Sequence, residues 1–159
     1  MSVLGPVVMI EELVELTSGP MTLVRSPGVS VAAAATDALL RAVRRLTGQR
    51  IFVAGPGMTG TALWAAMQGG NVTCWTENAA EARTLTATFA AHNIPEPRCL
   101  VQADFSGLTP GSFDMALLHL PRGRELQEEL LRMTGALLRP NSRLYFVGAT
   151  KEGVRSAVD

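Results

Sequence analysis

The sequence predicts an α/β fold built on a twisted, mainly parallel sheet with helices on both faces, and three features carry that prediction. From residue 50 onward, strand-like and helix-like stretches alternate: strands over 50–54, 71–76, 98–103, 113–119 and 142–148, helices over 58–68, 79–92 and 123–138. Short apolar runs separated by helical stretches are the pattern of strands covered on both faces. The first of these strands runs into Gly55-Pro56-Gly57-Met58-Thr59-Gly60, a G-x-G-x-x-G turn at the start of a helix. The third feature is that three successive strand ends carry this glycine turn, Glu77 and Asp104. Open α/β sheets bind ligands at the carboxyl ends of their strands.

Composition narrows the functional classes. The chain has 159 residues, 14 basic against 14 acidic, and a pI near 6.7. That length suits one domain, residues 1–159, with 1–49 forming N-terminal helices and a short strand and 50–159 the core. Balanced charge excludes a broad basic face that would hold nucleic acid by counterion release, though local patches stay open. Cys74 and Cys99 fall inside predicted strands without paired metal-ligand spacing, so they read as buried thiols and no metal site is expected. A reducing cytoplasmic location fits those thiols. No run of eighteen apolar residues exists, and the N-terminus lacks the basic flank and apolar stretch of a signal peptide, so no membrane partner is expected.

Taken in order, residues 7–16 place Val8, Met9, Leu13 and Leu16 among Glu11, Glu12 and Glu15, which approximates a short amphipathic helix stopped by Ser18-Gly19-Pro20. A short strand is predicted over 21–25, followed by a break at Ser26-Pro27-Gly28. Residues 32–46 read as a helix with Leu39, Leu40, Val43 and Leu46 on one side, Arg41, Arg44 and Arg45 elsewhere, and Gly48 beyond its end. The arginines read as a solvated face. In the strand at 50–54, Ile51-Phe52-Val53-Ala54 is too short and apolar for a surface helix. The turn after it uses glycine to allow positive φ and close backbone approach, and the following helix would aim its unpaired N–H groups at a ligand. Glu77 stands 17 residues after Gly60, near where a doubly wound fold places a ribose-binding carboxylate. His92, at the end of its helix, is expected to serve the last carbonyls. Pro110-Gly111-Ser112 marks the turn into the strand at 113–119. In the next helix Leu126, Leu130, Leu131, Leu137 and Leu138 face the sheet, and Pro140-Asn141 closes it. The strand at 142–148 would leave an apolar edge, which proteins cover or pair. Residues 151–159 read as the opening of another helix, so the chain is expected to be a fragment, with a homodimer through 142–148 as one way to cover that edge.

These residues together resemble the class I S-adenosylmethionine-dependent methyltransferases, and more narrowly the small-subunit ribosomal RNA guanine-N2 methyltransferases built from two tandem methyltransferase-like domains. The resemblance spans roughly residue 22 to the C-terminus. It rests on Ser26-Pro27-Gly28-Val29-Ser30, the glycine turn at 55–60, Glu77, Asp104, the run FDMALLHLPRGRE from Phe113, and the ending Phe146-Val147-Gly148-Ala149 with Lys151-Glu152-Gly153-Val154-Arg155-Ser156. It implies a Rossmann-like class I methyltransferase fold, here stopping after the fifth core strand. It also implies that Gly55, Gly57 and Gly60 hold the methionine part of S-adenosylmethionine, Glu77 the ribose and Asp104 the adenine amine. Thr76 stands where the family's ribose acid usually does, and Glu77 follows one position late, which by strand alternation turns its side chain to the other face.

At the catalytic motif the family carries Asn-Pro-Pro followed by an aromatic residue, and this chain carries His119-Leu120-Pro121-Arg122. Histidine lacks the amide's paired donor and acceptor, Leu120 replaces a rigid proline, and Arg122 replaces the stacking ring while still able to stack on a base or bind phosphate. His119 and Pro121 are thus the candidate catalytic positions and Arg122 a candidate RNA contact. The expectation is a non-catalytic N-terminal half that supports a C-terminal catalytic domain or holds ribosomal RNA of the small subunit, with or without S-adenosylmethionine bound. The alternatives are an active S-adenosylmethionine-dependent RNA methyltransferase and an NAD-binding Rossmann fragment, whose cofactor Glu77 and the glycine turn would also suit.

Overall fold

The computed structural model describes residues 8–148 and the backbone of residues 154–158. In chain order the elements are β1 (Ile10–Leu16), β2 (Gly19–Arg25), α1 (Ala33–Ala42), β3 (Arg50–Ala54), α2 (Thr59–Met67), β4 (Asn71–Thr76), α3 (Ala79–Ala91), β5 (Arg98–Val101), β6 (Phe113–His119), α4 (Arg124–Leu137), β7 (Leu138–Val147) and β8 (Val154–Val158). The main sheet has the order β5-β4-β3-β6-β7-β8. Its first five strands are mutually parallel, with β3 inside the sheet as expected, and β8 pairs antiparallel to β7.

Because successive strand residues point to opposite faces, one strand feeds two cores. Ile51, Val53, Val72, Cys74, Met115 and Leu117 are buried in one core with residues of α1, α2 and α3. Phe52, Ala54, Trp75, Ala116, Leu118 and Leu144 are buried in the other with Leu130 and Leu137 of α4. On that second face the connection between β5 and β6 holds no helix. Phe105 from this loop closes the gap, its ring meeting Phe52 at 5.3 Å and Trp75 at 4.7 Å, both edge to face. Cys74 is buried and Cys99 half-buried, and the two stand opposite each other on β4 and β5 as free thiols.

The N-terminal expectations need correction. Residues 10–16 form a strand rather than an amphipathic helix, joined to β2 in an antiparallel hairpin whose last pair is Leu16 with Gly19. The physical reason is alternation: Val14 and Leu16 are buried while Glu11, Leu13 and Glu15 are exposed. β2 then lies against α3, and a column of α3 side chains spaced by four residues bonds to strand positions spaced by two. Thr84 Oγ1 accepts the Ser26 N–H at 2.9 Å, Thr88 Oγ1 accepts the Val24 N–H at 2.9 Å and donates to the Val24 carbonyl at 3.1 Å, and His92 Nε2 donates to the Thr22 carbonyl at 2.7 Å. Four helical residues rise about 6 Å and two strand residues about 6.6 Å, so the two ladders stay in step. His92 therefore serves the carbonyl of a neighbouring strand rather than the last carbonyls of its own helix.

Further boundaries differ, and β5 ends at Val101 rather than at residue 103. The first helix ends at Ala42, with Val43 extended at its C-cap, so Val43 and Leu46 reach the core from an irregular segment. β7 begins at Leu138 and takes Pro140 and Asn141 into an irregularity between its pairings with Phe113 and Met115, a position where a strand tolerates proline. Residues 154–158 are a strand rather than the opening of a helix, and the neighbouring 151–153 and 159 lie outside the described residues. β8 covers the β7 edge within the same chain, which removes the reason for a dimer through that edge.

Candidate functional site

The glycine turn is shaped by what it packs against. Gly55 has φ +107°, and a Cβ added there would lie 1.7 Å from the His119 carbonyl oxygen. Gly57 has φ +81°, and its missing Cβ makes room for the Ala32 methyl group, which would lie 2.5 Å away. Gly60 sits within α2, where the nearest contact of an added Cβ is the Thr36 side chain of α1 at 3.2 Å. All three positions thus allow close approach of the chain to itself: β6 at Gly55, the lead-in to α1 at Gly57, and α1 at Gly60.

The turn is also held from below. The Gly57 N–H donates to Glu81 Oε1 at 2.6 Å, and Glu81 is buried in the first turn of α3. Burial pushes the Glu81 carboxyl above its ordinary range, and the Gly57 N–H offsets part of that. Its second oxygen has no partner. Sequence reasoning missed Glu81, although Asn78-x-x-Glu81 is the spacing of a capping box, in which the glutamate returns to the N-cap N–H. Here the Asn78 side chain accepts the Ala80 N–H at 2.8 Å, but the Asn78 N–H goes to Thr76 Oγ1 at 3.0 Å. Glu81 is left to reach the glycine turn.

At the end of β6, His119 is 2% exposed, and its Nε2 lies 2.7 Å from the hydroxyl of Thr61 in α2. Burial lowers its pKa from 6.5 to about 4, so the ring is neutral at pH 7. Its Nδ1 has no partner. Leu120 is buried, and its N–H donates to the Val147 carbonyl at 2.9 Å, tying the motif to β7. The Pro121 carbonyl accepts from Gln127 Nε2 at 2.9 Å, and Arg122 is exposed just before α4.

The two acids at the other strand ends stand apart from this cluster. Glu77 is exposed at the end of β4. Asp104 is exposed beyond β5, where its carboxylate accepts the Ser106 N–H at 3.0 Å, a bond that lowers its pKa. Its main-chain carbonyl accepts from Trp75 Nε1 at 2.9 Å. A cavity of about 980 Å³ opens on the α1 side of the β3, β6 and β7 ends, lined by Ser30, Ala32–Ala35, Pro56, His119, Leu120 and Arg122 among others. Of the nominated residues it takes in His119 and Arg122, while Gly55, Gly57, Gly60, Glu77, Asp104 and Pro121 are not part of its lining. Five of its fourteen lining residues are alanines of the segment 32–38, and among the described residues Arg41 and Arg122 are its only charged side chains. Among the described residues no group of three or more His, Cys, Asp or Glu side chains could hold a metal ion, and no helix is long and apolar enough to cross a membrane.

Comparison with known proteins places this architecture. A 16S rRNA N2 G1207 methyltransferase from Thermus thermophilus, solved with AdoMet and guanosine, superposes with a TM-score of 0.68 at 22% identity, over 89% of this chain and 35% of its own. A ribosomal-protein methylase from Lactobacillus delbrueckii subsp. bulgaricus superposes at 0.61 with 16% identity, over 77% of this chain and 64% of its own. A phosphoethanolamine N-methyltransferase from Haemonchus contortus, solved with S-adenosylhomocysteine, superposes at 0.59 with 12% identity, over 79% and 28%. The chain spans about a third of the Thermus enzyme's length. No curated protein sequence matches it. The model of a family described as methyltransferase small domain N-terminal matches residues 36–159, and the chain belongs to that family.

Proposed function

We propose that this chain is a methyltransferase-like domain that performs no methyl transfer itself and acts as the N-terminal half of a small-subunit ribosomal RNA guanine-N2 methyltransferase, supporting a catalytic half or holding RNA in the cytoplasm. The observation that carries this reading is the state of His119. Transfer to an exocyclic amine requires acceptors that orient the amine and a ring that stacks on the base. His119 instead is a neutral imidazole, 2% exposed, engaged with Thr61, and followed by a buried leucine. Neutral imidazole offers a single acceptor nitrogen, against the amide oxygen and the second carbonyl acceptor of the family motif.

S-adenosylmethionine is the cofactor this family implies, and relatives of the same fold were solved with it or with S-adenosylhomocysteine. In this chain the Gly57 N–H donates to Glu81, and Gly55 and Gly57 lie against the His119 carbonyl and the Ala32 methyl. Glu77 and Asp104 are exposed and lie outside the cavity lining. An active methyltransferase is the second reading, favoured by one observation: the cavity beside His119 and Arg122 is large enough for a flat base. Incubation of the chain with tritiated S-adenosylmethionine and 30S subunits lacking the modification decides between them. The expected result is no incorporation above background, and turnover that disappears in His119→Ala would establish the active reading.

A further inference from the structure

We infer that the amino-terminal rim of the sheet, at the opposite end of the strands from the glycine turn, is a binding surface for the phosphate backbone of RNA. The chain is neutral overall, with 14 basic and 14 acidic residues, yet these charges are not evenly spread. β5 and β3 begin at Arg98 and Arg50, and the parallel pairing of β7 with β6 resumes at Arg143 beside Met115. Arg139 starts the same strand, and Arg45 lies in the segment leading into β3. All five are exposed. The acids that face them are Asp114 on β6 and Glu96 just before β5, and Glu96 accepts from Thr86 Oγ1 at 2.6 Å.

Asp114 sets the geometry of this rim. It accepts from the Arg50 backbone N–H at 2.8 Å and from Arg50 Nη2 at 3.2 Å, and it pairs with Arg139 Nε at 2.7 Å. Those contacts lower its pKa, led by the Arg50 side-chain bond. One carboxylate thus orients two guanidinium groups and neutralises only one of them. Strands in a sheet are about 4.8 Å apart, so the arginines from β5 to β7 spread over about 20 Å of the rim, Arg50 and Arg98 on the α4 side of the sheet and Arg143 on the other. Apart from Lys151 every basic residue in the chain is an arginine. The planar guanidinium binds phosphate through two parallel hydrogen bonds, as it does carboxylate, and its capacity to stack on bases favours RNA over an acidic protein as the occupant. Arg44 has a different task, since its Nη1 donates to the Arg41 carbonyl at 2.7 Å at the end of α1.

This inference rests on the reading that the domain serves RNA methylation. It is tested by fluorescence anisotropy of a labelled 20-nucleotide single-stranded RNA of mixed sequence, titrated with the 159-residue chain across a salt series. In R45Q/R98Q/R143Q, affinity should fall at least tenfold. The slope of log affinity against log salt should become shallower by about 2, since each phosphate contact to a single strand contributes about 0.7. The control R83Q/R124Q/R132Q, on α3 and α4, should bind as the parent does. Equal binding by the parent and the rim variant overturns the inference, as does an equal loss in the control. Stronger competition by polyglutamate than by unlabelled RNA overturns it in favour of an acidic protein partner. A parent chain with no RNA affinity refutes the RNA-holding role as well, which separates failure of the surface from failure of that role. If the triple variant does not fold, R45Q and R143Q singly should each lower the slope by about 0.7.

Discussion

The buried imidazole of His119 makes a quantitative prediction about stability and pH. Its pKa falls from 6.5 to about 4 in the folded chain because burial penalises the charged ring. Above pH 6.5 the ring is neutral in both states and contributes no pH dependence. Below 6.5 the unfolded chain takes up a proton that the folded chain refuses, so stability is lost as pH falls from 6.5 toward 4. Between pH 7 and pH 5 this one group removes about 2 kcal/mol, from about 1.36 kcal/mol per pH unit. Glu81 acts in the opposite direction, because its raised pKa makes the folded state bind its proton more readily as pH falls. The comparison of parent and variant isolates His119: His119→Gln keeps a polar side chain that can reach Thr61 and removes the titration. Urea unfolding at pH 7, 6 and 5 should show a pH dependence weaker in the variant by about 2 kcal/mol over that range. Parallel curves for the two proteins would refute both the burial and the neutrality of His119, and with them the main support for a domain without methyl transfer.

Other substitutions test the remaining contacts. Gly55→Ala forces a methyl group onto the His119 carbonyl at a positive φ, and should destabilise by about 2–6 kcal/mol in chemical denaturation, summing backbone strain and overpacking. Glu81→Ala leaves the buried Gly57 N–H without its acceptor and should cost about 1–3 kcal/mol; an unchanged unfolding midpoint would show that water replaces the carboxylate. Thr88→Val removes both hydrogen bonds to Val24 and should cost a similar ~1–3 kcal/mol, with faster hydrogen exchange at the Val24 amide as the local signature. In calorimetric titration of S-adenosylmethionine into the chain, Asp104→Ala should weaken binding by about 1–3 kcal/mol, and an unchanged affinity would show that the pose the family implies is wrong.

Much of the core was legible because period and punctuation agreed there. The strands at 50–54, 71–76 and 113–119 have the bounds their apolar runs suggest, since each ends at a glycine, a polar cap or a proline-containing turn. The hairpin was not legible, because glutamates at 11, 12 and 15 satisfy a helical stripe almost as well as an alternating strand, and the choice is made by long-range pairing with residues 19–25. The column Thr84, Thr88 and His92 carried a hidden signal: polar residues repeating every four positions on a face that would otherwise be apolar. Such a column points inward only when a strand needs its backbone satisfied. β8 was hidden for a related reason, since an antiparallel edge strand of five residues has no periodicity long enough to separate it from a helical turn.

The glycine turn shows how a ligand motif can be kept for packing. A G-x-G-x-x-G sequence specifies only that the backbone must bend with positive φ and that something must come close to it. In a cofactor site that something is a ligand. In this chain the His119 carbonyl, the Ala32 methyl and the Thr36 side chain also come close to the turn, with the Glu81 carboxylate accepting from the Gly57 N–H. Substituting these glycines would disrupt the junction of β3, β6 and α1 whether or not a cofactor ever binds, so the motif would persist after chemistry was lost. The catalytic motif has no such second use: an asparagine amide held ready for a substrate amine is a buried polar group without a partner when no substrate comes. Histidine at that position, neutral and bonded to Thr61, satisfies one ring nitrogen locally. Retained glycines beside an altered Asn-Pro-Pro-aromatic motif are what the proposed reading, a domain that keeps the fold without methyl transfer, would leave.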